Sequence, residues 1–155
     1  MEISRAAPLH PILVHFTIGL VGASFIFELL GRWQRSDSLT TAGWWTIALA
    51  VPLTVATVAT GLMSRRRAPV AEGTALRYLR IHTALGPIFF GGLLALSVWR
   101  STFWGRETFP SASYLLTLGL LVLLMTIQGY IGGELVYGFG LEVRHRYKRL
   151  PLHDS

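Results

Sequence analysis

The chain reads as an all-α membrane protein, a four-transmembrane-helix up-down bundle forming one domain over residues 1–155. Three observations predict this class. Four apolar stretches approach or exceed the roughly 18 residues that a helix needs to cross a hydrocarbon core of about 30 Å. The composition is 52% apolar and only 14% charged, against about 25% charge in soluble domains. The basic residues and the tryptophans gather at opposite ends of the four stretches, as the two faces of a bilayer demand. Lipid offers no partner to an open backbone, and these segments are too long and too uniformly apolar for the alternating strands of a barrel.

The first span is expected over 11–30, interrupted by His15 near its start and Glu28 near its end. Its apolar run exceeds that of a signal peptide and no small-residue cleavage site follows, so it is expected to be retained. The second span, 42–63, has no charge; Thr54, Thr57 and Thr60 recur on one face, a weakly polar stripe suited to helix contacts. The third, 79–99, carries Arg80 and His82 at its beginning, and the fourth, 111–133, is again uncharged. Pro52 and Pro87 remove the backbone bonds to Ala48 and Thr83, which predicts kinks. Small residues four apart, Gly19 and Ala23, Thr57 and Gly61, Gly129 and Gly133, predict close backbone approach. The tail, 138–155, is short and basic and is expected to lie along a membrane surface.

Ten Lys and Arg residues (Arg5, Arg65, Arg66, Arg67, Arg77, Arg80, Arg144, Arg146, Lys148 and Arg149) fall on the side of the termini, against four (Arg32, Arg35, Arg100 and Arg106) on the other. The positive-inside rule then puts both termini in the cytoplasm. Trp33, Trp44, Trp45, Trp99 and Trp104 all fall at the opposite ends of the spans, as an outer aromatic belt would. The net charge of +6 is explained by these flanking residues, so no nucleic-acid partner is expected. The absence of cysteine excludes disulfides, thiolate-held clusters and covalently attached haem.

Ionisable groups inside membrane spans are costly and become functional candidates. His10, His15, His82 and Glu134 come from different spans yet converge on the cytoplasmic side. His15 and His82 lie at similar depths on spans one and three, which run parallel at diagonal corners, about 12–14 Å apart for neighbours packed at 8–10 Å. That gap suits haem b held by two neutral imidazoles, with Phe16, Ile81, Leu85 and Phe89 as apolar walls. Interhelical hydrogen bonding, another metal and a quinone pocket are the competing readings of the same pair. His10 stands five residues before His15, hence about 140° away on a helix, and Pro11 suggests that it precedes the helix. It would contact a haem propionate, join His15 and Glu134 around a metal ion, or simply sit among headgroups. Glu134 is expected to pair with Arg77 or Arg80, and Glu28 with Arg32 four residues on.

The outer half of the bundle holds no further histidine, methionine pair or cysteine for a second redox centre. No nucleophile-base pair, phosphate-cradling glycine loop or HExxH motif is present, so no autonomous catalysis is expected.

The segment His10-Pro11-Ile12-Leu13-Val14-His15-Phe16-Thr17-Ile18-Gly19 resembles the opening signature of the bacterial membrane family termed domain of unknown function 2231. His82-Thr83-Ala84-Leu85-Gly86 and Gly132-Gly133-Glu134-Leu135-Val136-Tyr137-Gly138 look like its later motifs, so the resemblance covers almost the whole chain. It implies four spans, an outline like that of small b-type cytochromes, and a shared role for the three motifs. The Thr17 position often carries proline in similar sequences, a departure expected to leave the histidines unaffected.

Two functions are weighed. One is a b-type haem protein exchanging electrons with quinol or a redox partner. The other is a non-catalytic accessory subunit of a larger respiratory or photosynthetic complex. A metal or proton transporter would need polar groups through the outer half, where the sequence provides little beyond the threonine stripe.

Overall fold

The computed structural model describes residues 9–67, 72–102 and 109–141, with only the backbone of Arg67. Arg5, Trp104, Arg106 and the basic tail residues from Arg144 onward lie outside the described residues. Four helices follow one another: α1 (Leu9–Gln34), α2 (Asp37–Arg67), α3 (Gly73–Thr102) and α4 (Ala112–Gly133), the last extended by a π-helical turn, Glu134–Gly138. All four are long and apolar enough to cross a membrane. No strand occurs among the described residues. α1, α2 and α3 outrun their expected spans, while α4 matches its own to within a residue before the π-helical turn. At 31 residues α2 is about 46 Å long, enough to carry its ends into the headgroup layers.

α1 packs against α2 and α4, and α3 against the same two, so α1 and α3 occupy diagonal corners. Here the end holding the α1–α2 turn is called the loop end, and the opposite one the terminal end. α2 and α3 remain helical through Pro52 and Pro87.

The α1–α2 turn is built from Arg35 in the left-handed region, φ 55°, while the Ser36 amide donates to the Gly31 carbonyl at 2.9 Å. Gly31 is dictated by close approach, since a Cβ there would stand 2.9 Å from the Thr40 backbone nitrogen. At the terminal end Gly140, φ 69°, lets the chain turn so that the Leu141 amide reaches the Leu135 carbonyl, a glycine-terminated helix stop.

Burial is uneven along the bundle. Val21, Ile47, Ala50, Phe89, Leu93, Leu96, Tyr114, Leu115, Leu118, Leu121 and Met125 form one core in the middle and towards the loop end. α3 buries Phe89, Leu93, Leu96 and Arg100 and nothing before them among the described residues. The terminal half therefore has little packed interior of its own.

The loop half contains what sequence reading placed elsewhere. Glu28 does not pair with Arg32. It is fully buried (0% exposed) and receives Nε of Arg100 (1% exposed) at 2.7 Å and Nη2 at 3.4 Å, joining the diagonal helices. Gly43 makes room, because a Cβ there would meet the Glu28 side chain at 2.6 Å, and Ser24 Oγ donates to the Gly43 carbonyl at 2.9 Å. Arg32 instead donates to the Pro110 carbonyl at 2.6 Å. Local spacing favoured Arg32, but burial decides, since a carboxylate inside the bundle needs a cation that is also inside. Of the tryptophans, Trp33 and Trp45 are exposed, whereas Trp99 turns inward, edge-on to Tyr114 with ring centres 5.8 Å apart.

Candidate functional site

α1 begins at Leu9, two residues earlier than expected, so His10 lies within its first turn rather than ahead of it. Pro11 is tolerated there because the amide it lacks has no helical partner in a first turn. With His10 on the helix, the 140° offset between His10 and His15 means that only one can face the interior. It is His10. His15 is exposed, its Nδ1–H donating to the Pro11 carbonyl of its own helix at 2.6 Å. Phe16 (60% exposed) and Ile81 also face outward, and Phe89 belongs to the central core, so these do not line a pocket with His82.

His10 and His82 meet across the diagonal, ring centres 6.5 Å apart and planes 83° from parallel. Each is oriented by one of the other two helices. His10 Nδ1 is 3.0 Å from the Thr57 carbonyl of α2, and His82 Nδ1 is 3.2 Å from the Gln128 carbonyl of α4. A carbonyl can only accept, so Nδ1 carries the hydrogen in both rings and Nε2 keeps its lone pair in the neutral form. No hydrogen bond occupies either Nε2 among the described residues.

Two glycines make this possible. A Cβ at Gly61 would stand 2.8 Å from His10 Cε1, and one at Gly132 would stand 3.0 Å from His82 Cε1. Gly86, also on α3, faces the Gln128 amide group in the same way at 3.4 Å. The three motifs of the sequence thus meet at one level of the terminal end.

Thr57 is a junction. Its hydroxyl donates to the Leu53 carbonyl at 2.8 Å and lies 3.1 Å from the Thr17 hydroxyl, so Thr17 is the donor of that second bond. Thr17 thus bonds the side-chain hydroxyl of the residue whose backbone carbonyl contacts His10. Thr54 and Thr60 bond carbonyls of their own helix; of the threonine stripe, Thr57 reaches across to α1.

Glu134 stands at the same end but apart from the rings. Its carboxylate folds over the π-helical turn, where a Cβ at Gly138 would meet it at 2.8 Å, and it forms no ion pair among the described residues, Arg77 and Arg80 included. No group of three or more His, Cys, Asp or Glu side chains converges among the described residues.

Sequence reasoning missed Thr57, Gln128, Gly61 and Gly132 as the frame of the pair. The Thr57–Gly61 spacing and an amide inside an otherwise apolar span were the available signals. Among family models, that of DUF2231, described as a predicted membrane protein, matches residues 6–145. No curated protein and no solved structure matches.

Proposed function

The chain belongs to the DUF2231 family of predicted membrane proteins, and from that premise we propose a membrane-bound b-type haem protein that takes part in electron transfer, in which His10 and His82 would hold the haem iron. The observation that carries this reading is the pair itself: two imidazoles from diagonal helices, 6.5 Å apart, each fixed through Nδ1 to a backbone carbonyl. Metal-ligating histidines are usually oriented in this way. Two imidazoles that held one metal at metal–nitrogen distances of about 2.0–2.1 Å would have ring centres up to about 6.5 Å apart, the separation found between His10 and His82.

When bound, haem supplies a one-electron iron couple. The chain's part would be to offer two imidazoles whose Nδ1 atoms are tied to the Thr57 and Gln128 carbonyls, which fixes the tautomers and leaves Nε2 of each ring as the ligating atom. Glu134 belongs to the outer surroundings of this site and His15 faces away from it. A single centre near one membrane face cannot relay electrons across the bilayer alone, so the partner is a quinol or a neighbouring redox complex. Location in a bacterial cytoplasmic membrane with both termini cytoplasmic is supported by the basic side of the bundle. The charge asymmetry sharpens because Arg100 is neutralised by Glu28 within the protein.

The test is an absorption spectrum of protein expressed with haem supplementation. A Soret band and a sharp reduced α-band are expected, lost in His10→Ala and His82→Ala and retained in His15→Ala. A colourless protein, or a band indifferent to His10 and His82, removes the proposal.

A second reading, an accessory subunit of a larger complex, has one observation in its favour. On α1 the exposed His15 and Phe16 continue into Gly19 and Gly22, where a Cβ would find nothing within 4 Å. Stoichiometric co-purification of a partner without a cofactor in this chain would favour it.

A further inference from the structure

At the loop end, away from the histidines, a groove of about 470 Å³ opens between α1 and α4, lined by Leu29, Arg32, Trp33, Arg35, Ala112 and Leu115. Its two cations are already posed. Arg32 is anchored through Nη1 to the Pro110 carbonyl at 2.6 Å, and the Arg35 guanidinium lies 5.3 Å from the centre of the Phe109 ring. Arg32 spends one of its five N–H donors on that anchor. Neither arginine meets a carboxylate among the described residues. Arg35 also sits in the left-handed region, φ 55°, a conformation that a residue with a Cβ seldom adopts.

Four of the six lining residues are apolar, and two of these, Leu29 and Trp33 (78% exposed), lie exposed on the surface of the bundle. Cations at a helix end above an apolar slot complement a molecule with an anionic head and a hydrocarbon tail. Planar guanidinium forks match phosphate oxygens, and the Trp33 ring marks headgroup depth. We propose that this groove binds one anionic phospholipid, its phosphate held by Arg32 and Arg35 and an acyl chain lying along Leu29 and Leu115. A soluble phosphate would use the arginines but leave the apolar slot exposed.

Native mass spectrometry of the protein in neutral detergent tests this with phosphatidylglycerol, phosphatidylcholine and glycerol 1-phosphate as probes. Phosphatidylglycerol is expected to bind with a clear preference over phosphatidylcholine, and glycerol 1-phosphate is expected not to displace it. The double variant Arg32→Gln, Arg35→Gln should weaken phosphatidylglycerol about tenfold or more through lost charge-assisted hydrogen bonds. Leu29→Trp, which keeps both arginines and fills the slot, should weaken it as well. Equal binding of the two lipids, unchanged affinity in either variant that retains a native melting transition, or displacement by glycerol 1-phosphate overturns the proposal. The two variants act on different parts of the groove, so misfolding of one leaves the other to decide.

Discussion

Replacing Arg100 by methionine should destabilise the bundle by about 3–5 kcal/mol, because it leaves a carboxylate unpaired in the interior. Glu28 is fully buried, Arg100 is 1% exposed, and two contacts of 2.7 and 3.4 Å join them, so neither charge has water to fall back on. At about 1.4 kcal/mol per factor of ten, the folded population falls by two to three and a half orders of magnitude relative to the unfolded. Glu28→Met should cost about as much, for it strands the guanidinium instead. The double replacement should recover most of the loss, since burying two thioethers of similar reach removes the desolvation cost along with the attraction. Unfolding by sodium dodecyl sulfate from mixed micelles, followed by circular dichroism, reads all four corners of the cycle. Single variants within about 1 kcal/mol of the parent, or additive losses in the double variant, refute the coupling.

Gly61→Ala should displace the His10 ring, because the new Cβ would stand 2.8 Å from Cε1, and so abolish the bis-imidazole absorption while leaving helical circular dichroism unchanged. An unaltered spectrum would exclude His10 as a ligand. Gly31→Ala brings a Cβ within 2.9 Å of the Thr40 backbone, and overpacking of this kind costs about 1–3 kcal/mol in the same detergent titration. Thr17→Val deletes one interhelical hydroxyl bond and should cost only about 0.6 kcal/mol, with a larger loss showing that the hydroxyl also positions His10 through Thr57.

The bundle was legible because hydropathy over a whole span is a sum in which single residues matter little. Four spans, their order and the diagonal placement of α1 and α3 all emerged from that sum and from short connections. Which side of a helix faces inward rests instead on a phase. At the start of α1 that phase turned on whether Pro11 ends or merely opens the helix. Placing Pro11 in the first turn rather than after an irregular His10 exchanges His10 for His15 as the partner of His82. Glu28 failed for a different reason. Its neighbour at four residues was visible along the chain, while Arg100, seventy-two residues away, becomes a partner only once the bundle closes. Backbone carbonyls such as those of Thr57 and Gln128 have no signature in side-chain identity at all.

The uneven burial along the bundle divides its labour. Since the central and loop-end layers hold nearly every sequestered apolar side chain and the sole ion pair among the described residues, they set the free energy of global unfolding. The opposite third can then loosen by itself, its amides exchanging with solvent through small openings that leave the anchored layers intact. A flat guest could enter or leave by that route without the membrane ever meeting an unfolded chain.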